Sequence, residues 1–151
     1  MTKTTEPLAL SNQLCFAFYS VTHAFNRAYR RFLDPLGLTY PQYVVLLVLW
    51  ERDDLAVKEI GERLFLDSGT LTPLLKRLES AGLIRRQRDK KDERQVRIVL
   101  TDAGRALKEK ARDIPLNVGC MLGLSLDEAR ALTEQVAKLR GTLHDSASVK
   151  S

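Results

Sequence analysis

The apolar positions of the first part of the chain recur at every third or fourth residue, the spacing of a helix that buries one face. They are Leu10, Leu14, Phe18, Val21, Phe25, Ala28 and Phe32. They predict a long amphipathic helix that ends at Asp34-Pro35 and Gly37. Its near-heptad spacing favours packing against other helices, including those of a second subunit. Thr39 and Gln42 have the spacing of a capping box, which starts a second helix that runs to about Arg52.

Two shorter helices are predicted next. Asp53-Asp54 opens a third helix, which Phe65-Leu66-Asp67 breaks. A fourth helix extends from about Ser68 to Ala81 and ends at Gly82, where a left-handed residue is favoured. Its buried stripe consists of Leu71, Leu74, Leu75 and Leu78. Pro73 removes one hydrogen bond, so we expect an irregular first turn.

The period of the apolar residues changes to two between Ile84 and Leu100, which predicts a β-hairpin with a charged turn at Asp89–Glu93. Thr101 then caps a fifth helix through about Leu122, weakened at Pro115.

Ser125 and Glu128 form another capping box and open a sixth helix, after which residues 145–151 look frayed. The predicted fold is therefore mostly α with a small β-hairpin wing. Two short helices followed by a hairpin, over residues 53–100, have the outline of a winged helix-turn-helix.

The composition fits one domain, residues 1–151, with 44% hydrophobic and 28% charged residues. The first seven residues show no secretory signal. The longest apolar run, Tyr43–Trp50, is far shorter than the roughly 20 residues that cross a bilayer. The chain has two cysteines, far apart in sequence, which argues against a disulfide-stapled secreted scaffold and favours a reducing cytoplasm.

The positive charge is concentrated in the hairpin. The chain has 24 Lys and Arg against 19 Asp and Glu, a net charge of +5, and residues 85–97 hold +4 of it. Such a projection suggests a polyanion partner, because each neutralised phosphate releases a condensed counterion. A solvated hairpin kept soluble by its charge would have the same composition. The position of this charge in the fold must therefore distinguish the two interpretations.

The position of the charge next to a helix-turn-helix favours DNA binding, because the second helix of such a pair enters the major groove. Hydroxyls near the start of this helix suit phosphates or base edges, and Arg94 at the end of the turn suits a narrow minor groove. The candidate DNA-binding residues are Ser68, Thr70, Thr72, Lys76 and Arg77 on the helix, and Arg86, Lys90 and Arg94 on the hairpin.

The run from Leu66 to Glu79, followed by Gly82-Leu83-Ile84 and Asp89–Arg94, resembles the MarR family of winged-helix repressors. It is most similar to the two-cysteine, organic hydroperoxide-sensing (OhrR-type) branch. The resemblance extends from the first helix to the last, and it implies that Arg94 reads the minor groove while Asp92 holds it in place.

The resemblance also implies a homodimer. Its terminal helices, within residues 8–33 and 102–144 of this chain, would be dimerisation helices that interleave. One winged helix per subunit would meet each half of a pseudopalindromic double-stranded DNA operator.

Cys15 lies at the edge of the first apolar stripe, where a cysteine is most often a small buried hydrophobe. Phenol hydroxyls can stabilise a thiolate by donating hydrogen bonds, and Tyr29 and Tyr40 are candidates, although each is more often a core aromatic. Tyr29 is about 21 Å from Cys15 along a straight helix, so only the tyrosine of a partner subunit could meet this thiol.

The resemblance gives these residues redox roles. It implies that Cys15 is the reactive thiol, that Tyr29 and Tyr40 of the other subunit stabilise its thiolate, and that Cys120 attacks the oxidised Cys15 across the dimer. Without the resemblance, Cys120 is an incidental small residue.

The expected function is a redox-sensing repressor that an organic hydroperoxide releases from DNA during oxidative stress. One alternative is a repressor of the same fold that a small aromatic or phenolic ligand releases, with inert cysteines. A second is a peroxide-consuming thiol enzyme, which the absence of a Cys-x-x-Cys motif argues against. A third is an architectural DNA protein without sequence preference. We expect no enzyme activity, cofactor, metal site or membrane partner.

Overall fold

The computed structural model describes residues 6–148, which form a mostly helical chain with one small antiparallel sheet. The helices are α1 (Leu14–Leu33), α2 (Tyr40–Glu51), α3 (Val57–Leu64), α4 (Ser68–Ser80), α5 (Asp102–Ala111), α6 (Ile114–Met121) and α7 (Leu126–Ser148). The strands are β1 (Leu55–Ala56), β2 (Ile84–Arg88) and β3 (Val96–Leu100). The chain divides into two compact units, Met1–Arg112 and Asp113–Ser151.

α1 is the predicted long amphipathic helix, but it starts later than the apolar pattern indicates. Leu10 lies in a separate 3-10 turn, and Gln13 is extended, so α1 begins at Leu14. After α1 the chain turns at Gly37, whose φ of +68° is the left-handed conformation that glycine adopts without strain.

α2 begins at the predicted capping box, which the structure confirms. Thr39 Oγ1 accepts a hydrogen bond from the Gln42 amide at 3.4 Å, and Gln42 Oε1 accepts one from the Thr39 amide at 2.9 Å. The buried residues of α2 are Gln42, Tyr43, Val45, Leu46, Val48 and Leu49. A helix that is apolar on several sides belongs in a core, and α2 lies at the centre of the first unit.

The prediction that Asp53-Asp54 opens the third helix is wrong. Residues 55–56 form β1, which pairs antiparallel with β3, and α3 begins at Val57. The Asp53 carboxylate instead accepts a hydrogen bond from the Leu100 amide at 2.9 Å. A two-residue strand has no alternation that sequence periodicity can detect.

α3 and α4 form the helix-turn-helix. Phe65 ends α3 in a left-handed conformation, with a φ of +55°, and the Leu66 amide donates to the Gly61 carbonyl at 3.0 Å. A Cβ atom on Gly61 would lie 2.8 Å from the carbonyl oxygen of Leu66, so this tight turn requires glycine. α4 is continuous from Ser68, so the irregular turn expected from Pro73 is not seen; the proline removes a single hydrogen bond.

The sheet has the strand order β1-β3-β2. β2 and β3 pair from Ile84 with Leu100 to Arg88 with Val96, which confirms the predicted hairpin. Its connection, residues 89–95, is longer than the predicted charged turn. Ile84, Ile98 and Leu100 are buried, so one face of the hairpin belongs to the core.

The predicted fifth helix is in fact two helices. Thr101 caps α5 as expected, its Oγ1 accepting from the Gly104 amide at 3.1 Å, but α5 ends at Ala111. α6 begins at Ile114 with Pro115 in its first turn. Because proline has no amide to donate to the carbonyl four residues earlier, it stops one helix and suits the start of the next.

In the second unit, the capping box at the start of α7 is confirmed. The Ser125 amide donates to Glu128 Oε2 at 2.8 Å, and the Glu128 amide donates to Ser125 Oγ at 3.2 Å. The expectation of a frayed tail is wrong for residues 145–148, which continue α7, and residues 149–151 lie outside the described part of the chain.

Among residues 6–148, no helix by itself has the length and apolar character needed to cross a membrane. Leu14–Leu36 and Tyr40–Glu51 meet this requirement only as a pair, and they are bent by 69° at their junction.

Candidate DNA interface and thiol site

α4 presents its predicted recognition residues away from the core. Its four leucines, Leu71, Leu74, Leu75 and Leu78, are buried. The polar candidates Ser68, Thr70, Lys76 and Arg77 are exposed, and Thr72 is half-buried. The helix therefore offers hydroxyls near its start and two basic side chains further along.

The start of α4 is held by Asp67. Its Oδ1 accepts a hydrogen bond from the Thr70 amide at 2.7 Å. This backbone hydrogen bond lowers the pKa of the Asp67 carboxyl below its usual value, so Asp67 is ionised at neutral pH. A well-capped first turn fixes the position of the hydroxyls that follow it.

Arg86 joins the hairpin to α4. Its Nε lies 2.7 Å from Glu79 Oε2, and its amide donates to Glu79 Oε1 at 3.1 Å. The hydrogen bond from the Arg86 side chain is the main reason why the pKa of the Glu79 carboxyl is lowered. Arg86 thus fixes β2 against the end of the recognition helix, and its predicted contact with DNA stays a prediction.

The wing tip presents Arg94 to solvent, with 92% of its side chain exposed. Asp92 Oδ1 accepts hydrogen bonds from the Arg94 amide at 3.1 Å and from Arg94 Nε at 3.4 Å. Lys90 is also exposed. The structure therefore brings together Asp92 and Arg94, the pair that the sequence singled out.

Cys15 is a free, exposed thiol in the first turn of α1. Tyr29 lies on the same unbroken helix, 14 residues further on, which is about 21 Å at the rise of an α-helix. The hydroxyl of Tyr29 therefore cannot reach Cys15 of its own chain, as the sequence predicted.

Tyr29 and Tyr40, the two phenols predicted to stabilise the Cys15 thiolate, are in contact with each other. Their ring centroids are 4.7 Å apart, although one residue is on α1 and the other begins α2. Tyr43, which the sequence analysis did not single out, completes the cluster at 5.8 Å from Tyr29 and 6.1 Å from Tyr40. Tyr43 is part of an apolar run, so its pattern indicates only a core residue.

The phenols of this tyrosine cluster (Tyr29, Tyr40 and Tyr43) are protonated at neutral pH, and burial raises their pKa values further. Desolvation, reinforced by the neighbouring Tyr40 and Tyr43, raises the pKa of Tyr29 to about 12. Desolvation also raises the pKa values of Tyr40 and Tyr43. A phenol that stays neutral retains its proton and can donate a hydrogen bond to an anion such as a thiolate.

A cavity of about 210 Å³ opens next to Tyr40. It is lined by Asn26, Arg30, Leu33, Asp34, Leu38, Thr39, Tyr40 and Pro41, from the end of α1 and the start of α2. The lining contains polar and charged side chains, so the cavity suits a small molecule with a polar group.

Cys120, in the second unit, is likewise a free and exposed thiol. It lies on α6, a helix of eight residues in which Ile114 and Val118 are buried. Among the described residues, no group of three or more His, Cys, Asp or Glu side chains is placed to hold a metal ion.

Comparison with protein families gives a match over residues 27–111 to the model described as transcriptional regulator SarA/Rot. A similar curated protein is the HTH-type transcriptional regulator TtmR of Methylorubrum extorquens, 61% identical over 94% of this chain and 73% of that protein. Another is the organic hydroperoxide resistance transcriptional regulator of Bacillus subtilis, 50% identical over 91% of this chain and 93% of that protein.

Similar structures include those of AbfR of Staphylococcus epidermidis. The structure of reduced AbfR bound to DNA has a TM-score of 0.78 and 39% identity, and covers 90% of this chain and 93% of that one. The structure of disulfide-formed AbfR has a TM-score of 0.64 and 38% identity, and covers 90% of this chain and 92% of that one.

Proposed function

Because the chain belongs to the SarA/Rot family of transcriptional regulators, with the MarR-type winged-helix fold, and is a DNA-binding regulator rather than an enzyme, we propose that it is a homodimeric repressor that organic hydroperoxides release from DNA. One observation carries this proposal. Cys15 and Tyr29 lie about 21 Å apart along α1, and Tyr40 contacts Tyr29 from the start of α2, so the two phenols can stabilise this thiol only if a second subunit brings them to it.

In the DNA complex that we propose, α4 enters the major groove with Ser68, Thr70, Thr72, Lys76 and Arg77 toward the duplex. Lys90 and Arg86 add positive charge along the hairpin, and Arg94, held by Asp92, enters the adjacent minor groove. The exposed position of Arg94 and the DNA-bound structure of the similar AbfR support this arrangement.

The homodimer is supported by apolar surface that each unit leaves exposed. In the first unit, the exposed apolar side chains of α1 are Leu14, Phe16, Tyr19 and Val21. In the second unit, they are Leu116, Met121, Leu122, Leu124, Leu126, Leu132 and Leu143. Many exposed apolar side chains on a few helices are typical of protein–protein interfaces, which agrees with a dimer built from residues 8–33 and 102–144.

The proposed chemistry starts at Cys15. Its thiolate attacks an oxygen of the hydroperoxide, so that an S–O bond forms, the O–O bond breaks, and the alkoxide leaves and takes up a proton to give the alcohol. The sulfur is oxidised to a sulfenic acid. The thiol of Cys120 in the partner subunit then attacks this sulfur, an S–S bond forms, and water leaves. The existence of a disulfide form of the similar AbfR supports a disulfide as the oxidised state.

Disulfide formation brings two sulfurs to about 2 Å, and this moves the helices that carry them. The spacing of the two recognition helices changes with them, and the dimer no longer matches both halves of its operator. We place this regulator in the cytoplasm, where it meets DNA and reducing thiols.

The test is fluorescence anisotropy with a DNA duplex that the reduced protein has selected from a random-sequence pool. We expect the wild-type protein to leave this duplex after addition of cumene hydroperoxide. The Cys15→Ser variant should bind equally well and stay bound. Release of Cys15→Ser by the peroxide would contradict the proposal.

A second candidate function is release by a small aromatic or phenolic ligand, with both cysteines inert. The cavity beside Tyr40 is the observation that favours it. The same duplex distinguishes the two, because a ligand of this kind would release both the wild-type protein and Cys15→Ser without any peroxide.

A further inference from the structure

A series of hydrogen bonds leads from the wing to the body of the first unit, and Arg97 is at its centre. Arg97 Nε lies 2.7 Å from Asp54 Oδ1, and its Nη2 donates to the Asp54 carbonyl oxygen. Arg97 Nη1 lies 3.3 Å from Asp89 Oδ2. One guanidinium therefore joins the turn before β1 to the first residue of the wing turn.

On the wing side, Asp89 continues the series toward the tip. Its Oδ1 accepts from the Lys91 amide at 2.7 Å and from the Asp92 amide at 3.2 Å, and its own amide donates to the Gln95 carbonyl at 2.9 Å. Asp92 in turn holds the amide and the Nε of Arg94. Each step from Arg97 to Arg94 is therefore a hydrogen bond.

On the body side, the turn that receives Arg97 is itself fixed. Asp54 is in a left-handed conformation, with a φ of +57°. The adjacent Asp53 accepts from the Leu100 amide at 2.9 Å and pairs with Arg105 Nη2 at 3.1 Å. The anchor point of Arg97 is thus tied to the sheet and to α5.

Arg97 and Arg94 belong to the same wing but have different surroundings. The side chain of Arg97 is 31% exposed and that of Arg94 is 92% exposed. The guanidinium of Arg97 is occupied by two carboxylates, whereas the ion pair of Arg94 within residues 6–148 is with Asp92 alone. Arg97 is therefore engaged within the protein, and Arg94 projects from the wing.

We propose that Arg97 is a positioning residue for DNA binding, which fixes the wing on the Asp54 turn so that Arg94 reaches its groove. This inference rests on the DNA contact proposed for Arg94. In the sequence, Arg97 and Asp54 do not differ from the other charged residues of this region. The structure gives them a role in DNA binding that acts only through Arg94.

Two substitutions test the role without removing positive charge. Arg97→Lys keeps the charge but loses the planar fork that contacts both carboxylates. Asp54→Asn keeps a residue that tolerates the left-handed conformation and removes a negative charge, which by simple electrostatics would strengthen DNA binding. If Arg97 is a positioning residue, both variants weaken binding instead.

The measurement is the dissociation constant for the selected duplex, in the wild-type and Arg94→Ala backgrounds. A lost arginine contact of ordinary strength weakens binding about tenfold in Arg94→Ala. We expect Arg97→Lys and Asp54→Asn each to weaken binding about threefold or more in the wild-type protein, and to change it less than about twofold in Arg94→Ala, since coupled residues are not additive. Arg88→Ala, which removes an exposed charge from the same hairpin, should have equal effects in both backgrounds.

Wild-type affinity in Arg97→Lys and Asp54→Asn, or losses that add fully to that of Arg94→Ala, would overturn the inference. If Arg94→Ala itself binds like the wild-type protein, the proposed wing contact fails and the inference fails with it. Far-UV circular dichroism and the midpoint of thermal unfolding identify a variant that has lost its fold, and the other substitution then decides.

Discussion

The substitution Tyr29→Phe removes one hydroxyl and leaves the packing of the tyrosine cluster intact. In the proposed dimer this hydroxyl donates a hydrogen bond to the Cys15 thiolate of the other subunit. A hydrogen bond to a charged group contributes about 1.5–3 kcal/mol. Because about 1.4 kcal/mol is a factor of ten, the bond raises the ratio of thiolate to thiol about tenfold or more.

The half-buried position of Tyr29 favours the lower part of this range, since solvent weakens the bond. We therefore expect Tyr29→Phe to lower the fraction of Cys15 present as thiolate about tenfold. Because a more basic thiolate is intrinsically more nucleophilic, the rate of its reaction with a hydroperoxide falls by less, about threefold.

The assay is the rate of iodoacetamide alkylation as a function of pH, in a Cys120→Ser background where Cys15 is the remaining thiol. Tyr29→Phe and Tyr40→Phe should each slow alkylation at neutral pH. Tyr43→Phe is the matched control, because its ring is in the same cluster but is only 1% exposed, and it should leave the alkylation rate unchanged.

An unchanged alkylation rate in both Tyr29→Phe and Tyr40→Phe would refute the role of these phenols. An equal loss of rate in Tyr43→Phe would show that the packing of the cluster, and not a hydroxyl donor, controls the reactivity of the thiol.

Three further predictions concern the DNA contact and the fold. Arg94→Ala should weaken binding to the selected duplex and flatten its salt dependence, and an unchanged salt slope would remove the wing from the interface. Gly104→Ala should unfold at a markedly lower temperature, because its new Cβ would lie 2.1 Å from the Leu83 carbonyl oxygen; a wild-type melting curve would contradict this packing. The pKa of Asp89 lies below its ordinary value of 3.8, chiefly through the hydrogen bond from the Lys91 amide. The ionised Asp89 carboxylate therefore stabilises the fold fully above about pH 4, and this stabilisation is lost as the pH falls further. The melting temperature should accordingly fall less steeply with acid pH in Asp89→Asn than in the wild type. An equal dependence of the melting temperature on pH in both proteins would exclude this effect.

Much of the fold follows from local patterns. The face of α1 is a repeat of three and four residues, and the capping boxes at Thr39 and Ser125 require only two side chains three positions apart. The hairpin is equally local. These elements are predictable because the residues that determine them are neighbours in sequence.

Elements that depend on distant partners were not predictable in this way. β1 exists because β3 is beside it, 40 residues later, and Asp53 has its role through the Leu100 amide. The break between α5 and α6 was not predicted, because a proline such as Pro115 is compatible both with a kink inside one helix and with the first turn of a new helix.

The candidate site divides along the same line. Asp92 and Arg94 are two residues apart, and their contact was predicted. Tyr43 appeared as one more apolar residue of α2, and Arg97 as one more charge of the hairpin, because their partners lie on other elements.

The central claim is that the thiol of one subunit is activated by the phenols of the other, and two heterodimers test it most directly. Each contains one Cys15→Ser subunit and therefore a single reactive thiol. In the first, Tyr29→Phe is on the subunit that retains Cys15; in the second, it is on the Cys15→Ser subunit. The rate of DNA release by cumene hydroperoxide should be about threefold higher for the first heterodimer than for the second. Equal rates, or faster release by the second, would contradict activation across the dimer.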